Sequence, residues 1–520
     1  MVIIKEEKQA KIISLGIYLI PITILVLGSF LHYMRGSYGF FPIESSLQSV
    51  GADDAFISYR YGWNLAQHGI LSWNESGFRR TEGFTNPLWV LVSVFWSLLG
   101  NKDLVYPMMV ITSLVLSIFL LAILIKYVFL KNDRSTRSIF GIVLAVAIPA
   151  MWLHTTSGLE SAVFGIGLAL LAYLVIYFDP DKPQKILILS LAILLGLLRS
   201  DGFVYLLIIL FASLLAGKKS WKPLVLGLFI GIVVLFSWRY ISFGTFLPNT
   251  AVAKVNFGLL DRIPTGFTFL RVTLLNSGLI IFLLIGMAGL WLESRRIGLA
   301  GLFIAIAWLG YYLYFGGDGY FERHLIGLYL LLGAFSGPLW LTARLVTRAI
   351  FIIVILLIGF VSIRSFGNRF DYFSDKPVDP WISLGKALEV DREKYGVVII
   401  HAAGKLPFFG GGDMVDVLGL NDSYLATLSQ EKFFPGHSAG DVEAALEVAK
   451  IHPSGIYSRF SYLDPEVIFD AQQVDLWVDN NSNHGKVMGI PTEEQWDQAL
   501  KSGSVKIWSI ITKPTIVERE

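Results

Sequence analysis

Long apolar segments constrain this chain more than any other feature of its sequence. Eleven such stretches recur between residues 12 and 363. An α-helix needs roughly 20 residues to cross a bilayer core about 30 Å thick, and somewhat fewer where helices shorten around a cavity. The sequence therefore predicts an α-helical polytopic membrane protein with about eleven transmembrane helices, embedded in a lipid bilayer. The predicted spans are 12–31, 104–130, 139–153, 159–178, 186–198, 203–216, 224–243, 277–292, 299–315, 325–341 and 349–363.

Composition agrees with this fold class and excludes others. Of the 520 residues, 54% are hydrophobic and 16% are charged, and the mean hydropathy is +0.61, which is too apolar for an ordinary soluble domain. The net charge is only +2, so no global field favours nucleic acid as a partner. The chain has no cysteine, which excludes a thiolate metal site, a catalytic thiol and a disulfide-stabilised external domain.

Clusters of basic residues predict the orientation in the membrane, because short cytoplasmic loops collect Lys and Arg. All of these clusters fall on one side if the apolar stretch 87–99 lies in the membrane interface and does not span. The N-terminus, interpreted as a retained signal anchor, is then cytoplasmic and the segment after Arg364 is extracytoplasmic. The clusters are Lys5/Lys8/Lys11, Lys126/Lys131/Arg134/Arg137, Lys182/Lys185, Lys218/Lys219/Lys222, Arg295/Arg296 and Arg344/Arg348.

The composition changes to that of a soluble domain near residue 370. A buried-looking strand at Val397–Ile400, a second at 414–418 and a periodic helix at 441–450 predict a C-terminal extracytoplasmic α/β domain. We therefore expect a transmembrane module at 1–369, whose first external loop of about 32–103 carries interfacial helices, and a soluble domain at 370–520.

Two adjacent carboxylates, Asp53 and Asp54, lie in the first polar stretch outside the predicted membrane. Such a pair suits general-base chemistry or a divalent cation (Mg, Mn or Ca) at a membrane surface. The predicted topology places further polar residues on the same side, and we expect them to bind donor or acceptor. They are Arg60, Arg80, Glu82, Asn86, Glu160, Arg199, Asp201, Asn249, Lys254, Asp318, Arg323 and His324.

These side chains are compatible with transfer of a sugar from a phosphate. A phosphate leaving group favours Arg and Lys partners, and a sugar hydroxyl favours a carboxylate base within hydrogen-bond reach, so glycosyl transfer from a lipid phosphate is consistent with them. The alternative is that they are solvated loop residues, as loops are polar everywhere. That alternative is weaker for Arg199, Asp201 and Arg323, because charges beside hydrocarbon are costly unless they are paired or face water.

Several sequence blocks, in order along the chain, resemble a known family. The first loop reads GADDAFISYRYGWNLAQHGILSWN and then RRTEGFTNPLW. SGLES, RSDG, FLPNTAVAK, FGGDGYFERH, AGKLPFFGGGDMVDVLGLND and PGH follow. The set resembles GT-C glycosyltransferases, in particular the branch containing the terminal β-(1→2) arabinofuranosyltransferase.

The resemblance implies a polyprenyl-phosphate sugar as donor, a cell-envelope glycan as acceptor, and inversion of configuration at a bacterial cytoplasmic membrane. It also implies a catalytic aspartate in the first external loop, which would be Asp53 or Asp54 here. Lys254, Arg199 and Arg323 would neutralise the departing phosphate. Thr81, Gly319 and Tyr320 depart from the family pattern and leave the sugar open among a pentofuranose, a mannose and an aminoarabinose.

Two other classes of protein share parts of this pattern. A lipid-linked sugar flippase would have the same spans, but its charges should lie near the bilayer midplane and it needs no large external domain. A non-catalytic glycan-binding membrane subunit would use residues 370–520 for recognition. The aspartate pair discriminates, because changing both residues to Asn should abolish turnover in an enzyme and leave binding nearly unchanged in the subunit.

Overall fold

The computed structural model describes the greater part of the chain, and most of what it describes is α-helical. The helices and strands form two compact units, which are treated separately below. The described residues are 18–33, 51–132, 135–179, 181–255, 259–317, 322–342, 380–390, 392, 396–400, 403–428, 442–454, 456–460, 477–478, 487–488 and 511–516.

The first unit comprises Met1–His32, Val110–Ser237 and Leu259–Phe370. Two long helices, α4 (Lys102–Lys131) and α10 (Trp221–Phe243), contribute residues to both units. The other helices of this unit are α1 (Tyr18–Tyr33), α5 (Phe140–Val146), α6 (Pro149–Thr156), α7 (Ser161–Tyr177), α8 (Lys182–Leu198), α9 (Gly202–Leu215), α12 (Leu259–Asn276), α13 (Leu279–Glu293), α14 (Arg295–Tyr314), α15 (Ile326–Phe335) and α16 (Gly337–Thr342).

The core of the first unit is built around α7 and α15, whose residues are all buried. A pair of glycines brings these helices together: a Cβ on Gly165 would stand 2.9 Å from the main-chain nitrogen of Gly327, and one on Gly327 would stand 2.8 Å from the carbonyl oxygen of Gly165. Small residues at such crossings let helix backbones approach closely, which is the usual way in which helices associate in a membrane.

Several helices of the described chain carry the apolar character that a bilayer requires. Three of them, α4, α10 and α14, are long and apolar enough to cross a membrane. Two bent helix pairs raise this number to five if each pair forms one span; in one of them Thr136–Val146 and Pro149–Thr156 meet at 65°.

Helix length explains why the remaining predicted spans do not pass the same test. Five further apolar helices are shorter, with 10–17 residues as the structure describes them. The turn at Arg199–Asp201, for example, separates α8 from α9. The stretch 349–363 lies outside the described residues, so the count of about eleven remains a prediction. Helix α3 (Pro87–Ser97) has 11 residues and is about 16 Å long, which is too short to cross a bilayer. Its place in the membrane interface stays a prediction.

The second unit comprises Tyr33–Met109, Trp238–Gly258 and Asp371–Glu520. Its last segment begins close to the predicted domain boundary after residue 369, and it shares a core with the first loop: Tyr61 and Trp73 pack with Ile400, Leu406 and others. Besides α3, its elements are α2 (Asp53–His68), α11 (Asn249–Val255), α17 (Pro380–Val390), β1 (Val397–Ile400), α18 (Lys405–Gly410), β2 (Met414–Asp416), α19 (Val442–Lys450), β3 (Ile456–Phe460), β4 (Trp477–Val478), β5 (Val487–Met488) and β6 (Ile511–Ile516).

A small sheet organises the end of this unit. Its strand order is β2-β1-β3-β6, with β1 parallel to β2 and β3, and β6 antiparallel to β3. Strand β1 reads VVII and is buried at every residue, as parallel strands covered on both faces usually are. The predicted strands at Val397–Ile400 and 414–418 are therefore present, the second of them shorter, and α19 begins within one residue of its predicted start.

Candidate functional site

The carboxylate pair lies at the start of α2, and the second unit builds a specific environment around Asp53. Asp53 and Asp54 occupy the first turn of α2, where the helix dipole favours negative charge. Both oxygens of Asp53 accept main-chain hydrogen bonds, at 3.1 Å from the N–H of Gly404 and at 2.8 Å from the N–H of Lys405. The loop between β1 and α18 therefore fixes the direction of this carboxylate.

Gly404 is required at this point by close approach. A Cβ there would stand 1.9 Å from the carbonyl oxygen of Asp53, so any side chain would push the loop and α2 apart. Lys405 is buried, and its ammonium lies 5.8 Å from the centre of the Phe56 ring. The first turn of α2 and the first turn of α18 thus meet backbone to backbone.

The predicted metal role of Asp53 and Asp54 finds two protein ligands at most within the described residues. No group of three or more His, Cys, Asp or Glu side chains that could hold a metal ion occurs there. Both oxygens of Asp53 accept main-chain N–H groups, which orients this carboxylate, and the metal role of the pair stays a prediction.

Arg60 lies on α2, and its guanidinium donates hydrogen bonds to the main chain of the protein. It is buried and donates to the main-chain carbonyls of Trp73, Pro407 and Gly412. Burial lowers the pKa of Arg60 to about 10. This geometry gives Arg60 a structural part in joining the first loop to the segment after β1, and its predicted part in ligand binding stays a prediction.

Glu82 forms a buried ion pair with a residue that sequence reasoning did not select. The Nε of Arg239 donates to both carboxylate oxygens of Glu82, at 3.0 and 2.8 Å, and both side chains are almost completely buried. Burial raises the pKa of Glu82 to about 7, although Arg239 opposes the shift. The pair anchors the loop before α3 to residues 238–258.

The other predicted residues of the second unit also hold loops in place. The amide of Asn249 donates to the carbonyls of Gly419, Leu420 and Asp422, at 2.7, 2.9 and 3.2 Å. Asn86 accepts from the hydroxyl of Ser58 at 2.8 Å. Arg80 is exposed, donates to the carbonyl of Leu71 at 3.1 Å and lies over the Phe243 ring.

The first unit gathers four of the predicted residues into one charged cluster. Arg199, the residue that follows α8, donates to Glu160 at 2.7 Å and to both oxygens of Asp201, at 2.9 and 3.1 Å. Both acids stand at the N-cap positions of helices, Glu160 before α7 and Asp201 before α9, where the helix dipole favours negative charge. The Nδ1 of His324 lies 3.7 Å from Asp201. We call Glu160, Arg199, Asp201 and His324 the Arg199 cluster.

Aromatic side chains surround this cluster. The hydroxyl of Tyr205 lies 3.4 Å from the Nδ1 of His324, and Trp308 donates to the His324 carbonyl at 2.8 Å. The Phe315 ring lies 4.6 Å from the imidazole ring, and Arg199 lies over the Phe164 ring. Aromatic rings of this kind can stack on a sugar or cover an isoprenoid chain, and they lower the dielectric around the charges.

The structure describes the remaining predicted residues only in part. Arg323 is half-buried beside Glu322, whose backbone has a φ of 58°, a conformation uncommon for residues other than glycine. The hydroxyl of Ser277 donates to Glu322 at 2.7 Å. Asp318 lies outside the described residues, and Lys254 lies on α11 with its side chain outside the described part.

Sequence reasoning missed the residues that act through their main chain. Gly404 and Lys405 belong to the AGKLPFF block, but no charge pattern marks an amide that will bind Asp53. Arg239 lies inside an apolar helix, and such an intramembrane charge is itself a signal of a paired or functional residue. Tyr205 and Trp308 carry no signal that separates them from other aromatics of apolar helices.

Comparison with known proteins identifies the fold. No family model and no curated protein matches this chain. Its fold is similar to that in the crystal structure of ArnT from Cupriavidus metallidurans bound to undecaprenyl phosphate, with a TM-score of 0.53 and 12% identity over 89% of this chain and 96% of that one.

The chain is thus a polytopic α-helical membrane protein with several apolar helices. Its particular architecture is similar to that of ArnT.

Proposed function

We propose that this protein is a membrane glycosyltransferase that transfers a sugar from a polyprenyl-phosphate donor to a glycan acceptor of the cell envelope, with inversion of configuration. The observation that carries the proposal is the ArnT-like GT-C fold, since the similar protein was solved with undecaprenyl phosphate bound. Arabinofuranose is the sugar favoured by the resemblance of the sequence blocks to the arabinofuranosyltransferase branch.

The proposed reaction begins with the acceptor hydroxyl. Asp53 or Asp54 removes its proton as the hydroxyl oxygen attacks the anomeric carbon of the donor sugar. The bond between that carbon and the phosphate oxygen breaks, and its electron pair leaves with the polyprenyl phosphate. Attack from the face opposite the phosphate inverts the configuration, and the proton stays on the carboxylate until water removes it.

The amides of Gly404 and Lys405 support this assignment by fixing Asp53. A base held in one direction loses less conformational freedom when the acceptor binds, and its reacting oxygen can be aligned before the reaction. A carboxylate oxygen can accept more than one hydrogen bond, so these two main-chain contacts do not by themselves exclude an acceptor hydroxyl.

Cationic side chains would neutralise the departing phosphate, and we assign the three predicted cations different roles. Arg199 already contacts two carboxylates, so we assign it the part of orienting Asp201 and, through Asp201, His324. Arg323, one residue before His324, and Lys254 are the cations assigned to the phosphate.

If a divalent cation takes part, it would bind together with the donor. Asp53 and Asp54 are the residues that would contact it, and within the described residues they form no group with a third His, Cys, Asp or Glu side chain that could hold a metal ion. We therefore assign it no step.

The proposed location is the bacterial inner membrane. The basic clusters assign the N-terminus to the cytoplasm, and the active site and the C-terminal domain to the extracytoplasmic side. A polyprenyl-linked donor would reach such a site from within the bilayer, and the glycan acceptor would come from outside.

Transfer of labelled sugar by the purified protein tests this proposal. Synthetic polyprenyl-phosphoryl arabinofuranose and the mannose analogue are each offered with a short oligosaccharide acceptor in proteoliposomes. We expect label in the acceptor and an inverted linkage. No transfer from either donor would overturn the glycosyltransferase. Movement of the donor between leaflets would then identify a flippase, and acceptor binding alone would identify a glycan-binding subunit.

A further inference from the structure

A cavity of about 490 Å³ lies between α8 and α10, on the face that the basic clusters predict to be cytoplasmic. Its lining has two parts. Ile186, Leu189, Pro223 and Leu226 form an apolar wall, and the polar part is formed by Asp179, Lys185, Lys219 and Lys222.

The shape of this cavity follows from one close helix contact. A Cβ on Gly227 of α10 would stand 2.7 Å from the Cβ of Ala192 and 2.8 Å from the carbonyl oxygen of Leu189, both on α8. The helices therefore touch at this level. Toward their N-terminal ends they leave room between them, where Lys185 and Lys222 stand one to two turns away from the contact.

The charges at the mouth are predominantly positive. The acid in the lining, Asp179, already accepts from the ammonium of Lys218 at 3.3 Å and from the N–H of Lys219 at 3.2 Å. Another acid nearby, Asp181, caps α8 by accepting from the N–H of Gln184 at 2.9 Å. Lys185, Lys219 and Lys222 are exposed and are the groups available to an anion.

The apolar part lies where hydrocarbon is expected. The side chains of Ile186 and Leu226 are 57% and 51% exposed, on helices whose outer faces are apolar. A free inorganic anion would gain no binding energy from this apolar wall, whereas an acyl chain would remove it from water. Basic pockets between transmembrane helices on the cytoplasmic side are suited to anionic lipid headgroups.

We propose that this cavity binds an anionic glycerophospholipid, with the headgroup phosphate among Lys185, Lys219 and Lys222 and an acyl chain along Ile186 and Leu226. The site is separate in sequence and chemistry from Asp53 and from the Arg199 cluster. Its ligand is a structural lipid of the leaflet that faces the basic loops.

Retention of lipid by the full-length protein tests this proposal. The purified protein is titrated in mixed micelles with phosphatidylglycerol or with phosphatidylcholine. Native mass spectrometry then counts the bound lipid molecules. The site variant is Lys185→Gln with Lys222→Gln. Its matched control, Lys126→Gln with Lys182→Gln, removes the same charge from exposed lysines of the same predicted face that do not line the cavity. A third variant, Leu226→Trp, fills the apolar wall and leaves the lysines unchanged.

Each lysine near a headgroup contributes about 1 kcal/mol, so the site variant should bind phosphatidylglycerol roughly tenfold to thirtyfold more weakly than wild type. The control pair should bind as wild type does, and Leu226→Trp should also lose affinity. Equal retention by the site and control variants would overturn the proposal. Equal affinity for phosphatidylcholine, or complete competition by inorganic phosphate, would overturn the anionic lipid as ligand. None of these readouts depends on sugar transfer.

Discussion

The carboxylate of Asp53 accepts the main-chain N–H of Lys405 at 2.8 Å, across 352 positions of sequence. Together with the N–H of Gly404 at 3.1 Å, this contact makes a loop after β1 part of the environment of the predicted first external loop. Two main-chain amides of the C-terminal segment therefore orient the residue proposed as the base.

Replacing Gly404 with Ala should lower kcat strongly while the acceptor KM changes little. The added Cβ would stand 1.9 Å from the Asp53 carbonyl oxygen, so the loop must move and the two amides lose their alignment with the carboxylate. We expect a decrease in kcat on the order of 100-fold, similar to the effect of misplacing a catalytic group by about 1 Å. Steady-state kinetics with a saturating donor measures it.

Gly310→Ala is the control for this substitution, because a Cβ there meets nothing within 4 Å. A positioning role also predicts that Gly404→Ala costs nothing further when Asp53 is already Asn, since effects on one functional unit are not additive. Equal losses in both backgrounds would mean that Gly404 acts on the fold alone.

Removing the arginine of the Arg199 cluster should destabilise the first unit. Arg199→Met leaves the carboxylates of Glu160 and Asp201 without the cation that contacts both, and breaking a buried pair from one side costs about 3–5 kcal/mol. Adding Glu160→Gln should restore part of the loss, because the buried charge is removed as well. Unfolding of the purified protein in detergent measures the difference.

The exposed pair Lys218–Asp179 supplies the comparison. Its carboxylate is largely exposed, and Lys218→Met should cost less than about 1 kcal/mol. If Lys218→Met and Arg199→Met destabilise the protein equally, the Arg199 cluster is not a buried network.

Asp416 should make the stability of the second unit depend on pH. Burial raises its pKa from 3.8 to about 7 in the folded chain, although the amide and main-chain N–H of Asn421 oppose the shift. The folded chain thus binds this proton more tightly than the unfolded chain does. Stability should therefore fall as the pH rises from about 4 to about 7 and level off above that range.

Hydrogen exchange of the β1 and β2 peptides follows this dependence within the second unit. In Asp416→Asn, which does not titrate, the decrease in protection between pH 4 and 7 should disappear after correction for intrinsic exchange, even if overall protection is lower. A decrease of the same size in the variant would assign the dependence to another group.

Much of this fold follows from sequence because membrane constraints are simple. Apolar runs predict helices, and β1 was readable as four consecutive β-branched residues. The Arg199 cluster could be predicted from sequence for the same reason, because charges at the edge of hydrocarbon need partners. In the structure Arg199 contacts Glu160 and Asp201, and His324 lies beside Asp201.

The rest could not be predicted because it depends on tertiary contacts far apart in sequence. Nothing in the letters GK at 404–405 shows that these amides face Asp53. Arg60 has the charge of a phosphate ligand, and only the fold reveals that main-chain carbonyls surround it. Helix ends were hard to place for a similar reason, since turns such as that at Arg199–Asp201 end helices through contacts that the hydropathy pattern does not contain.

The most direct test of the central claim is sugar transfer from synthetic polyprenyl-phosphoryl arabinofuranose to an oligosaccharide acceptor by wild type, Asp53→Asn and Asp54→Asn. Asp103→Asn is the control, since Asp103 is an exposed acid at the end of the same loop. We predict one polyprenyl phosphate released per sugar transferred in wild type and Asp103→Asn, and a loss of at least about 100-fold in one or both of the other variants. Transfer at the wild-type rate by both Asp53→Asn and Asp54→Asn would contradict the account.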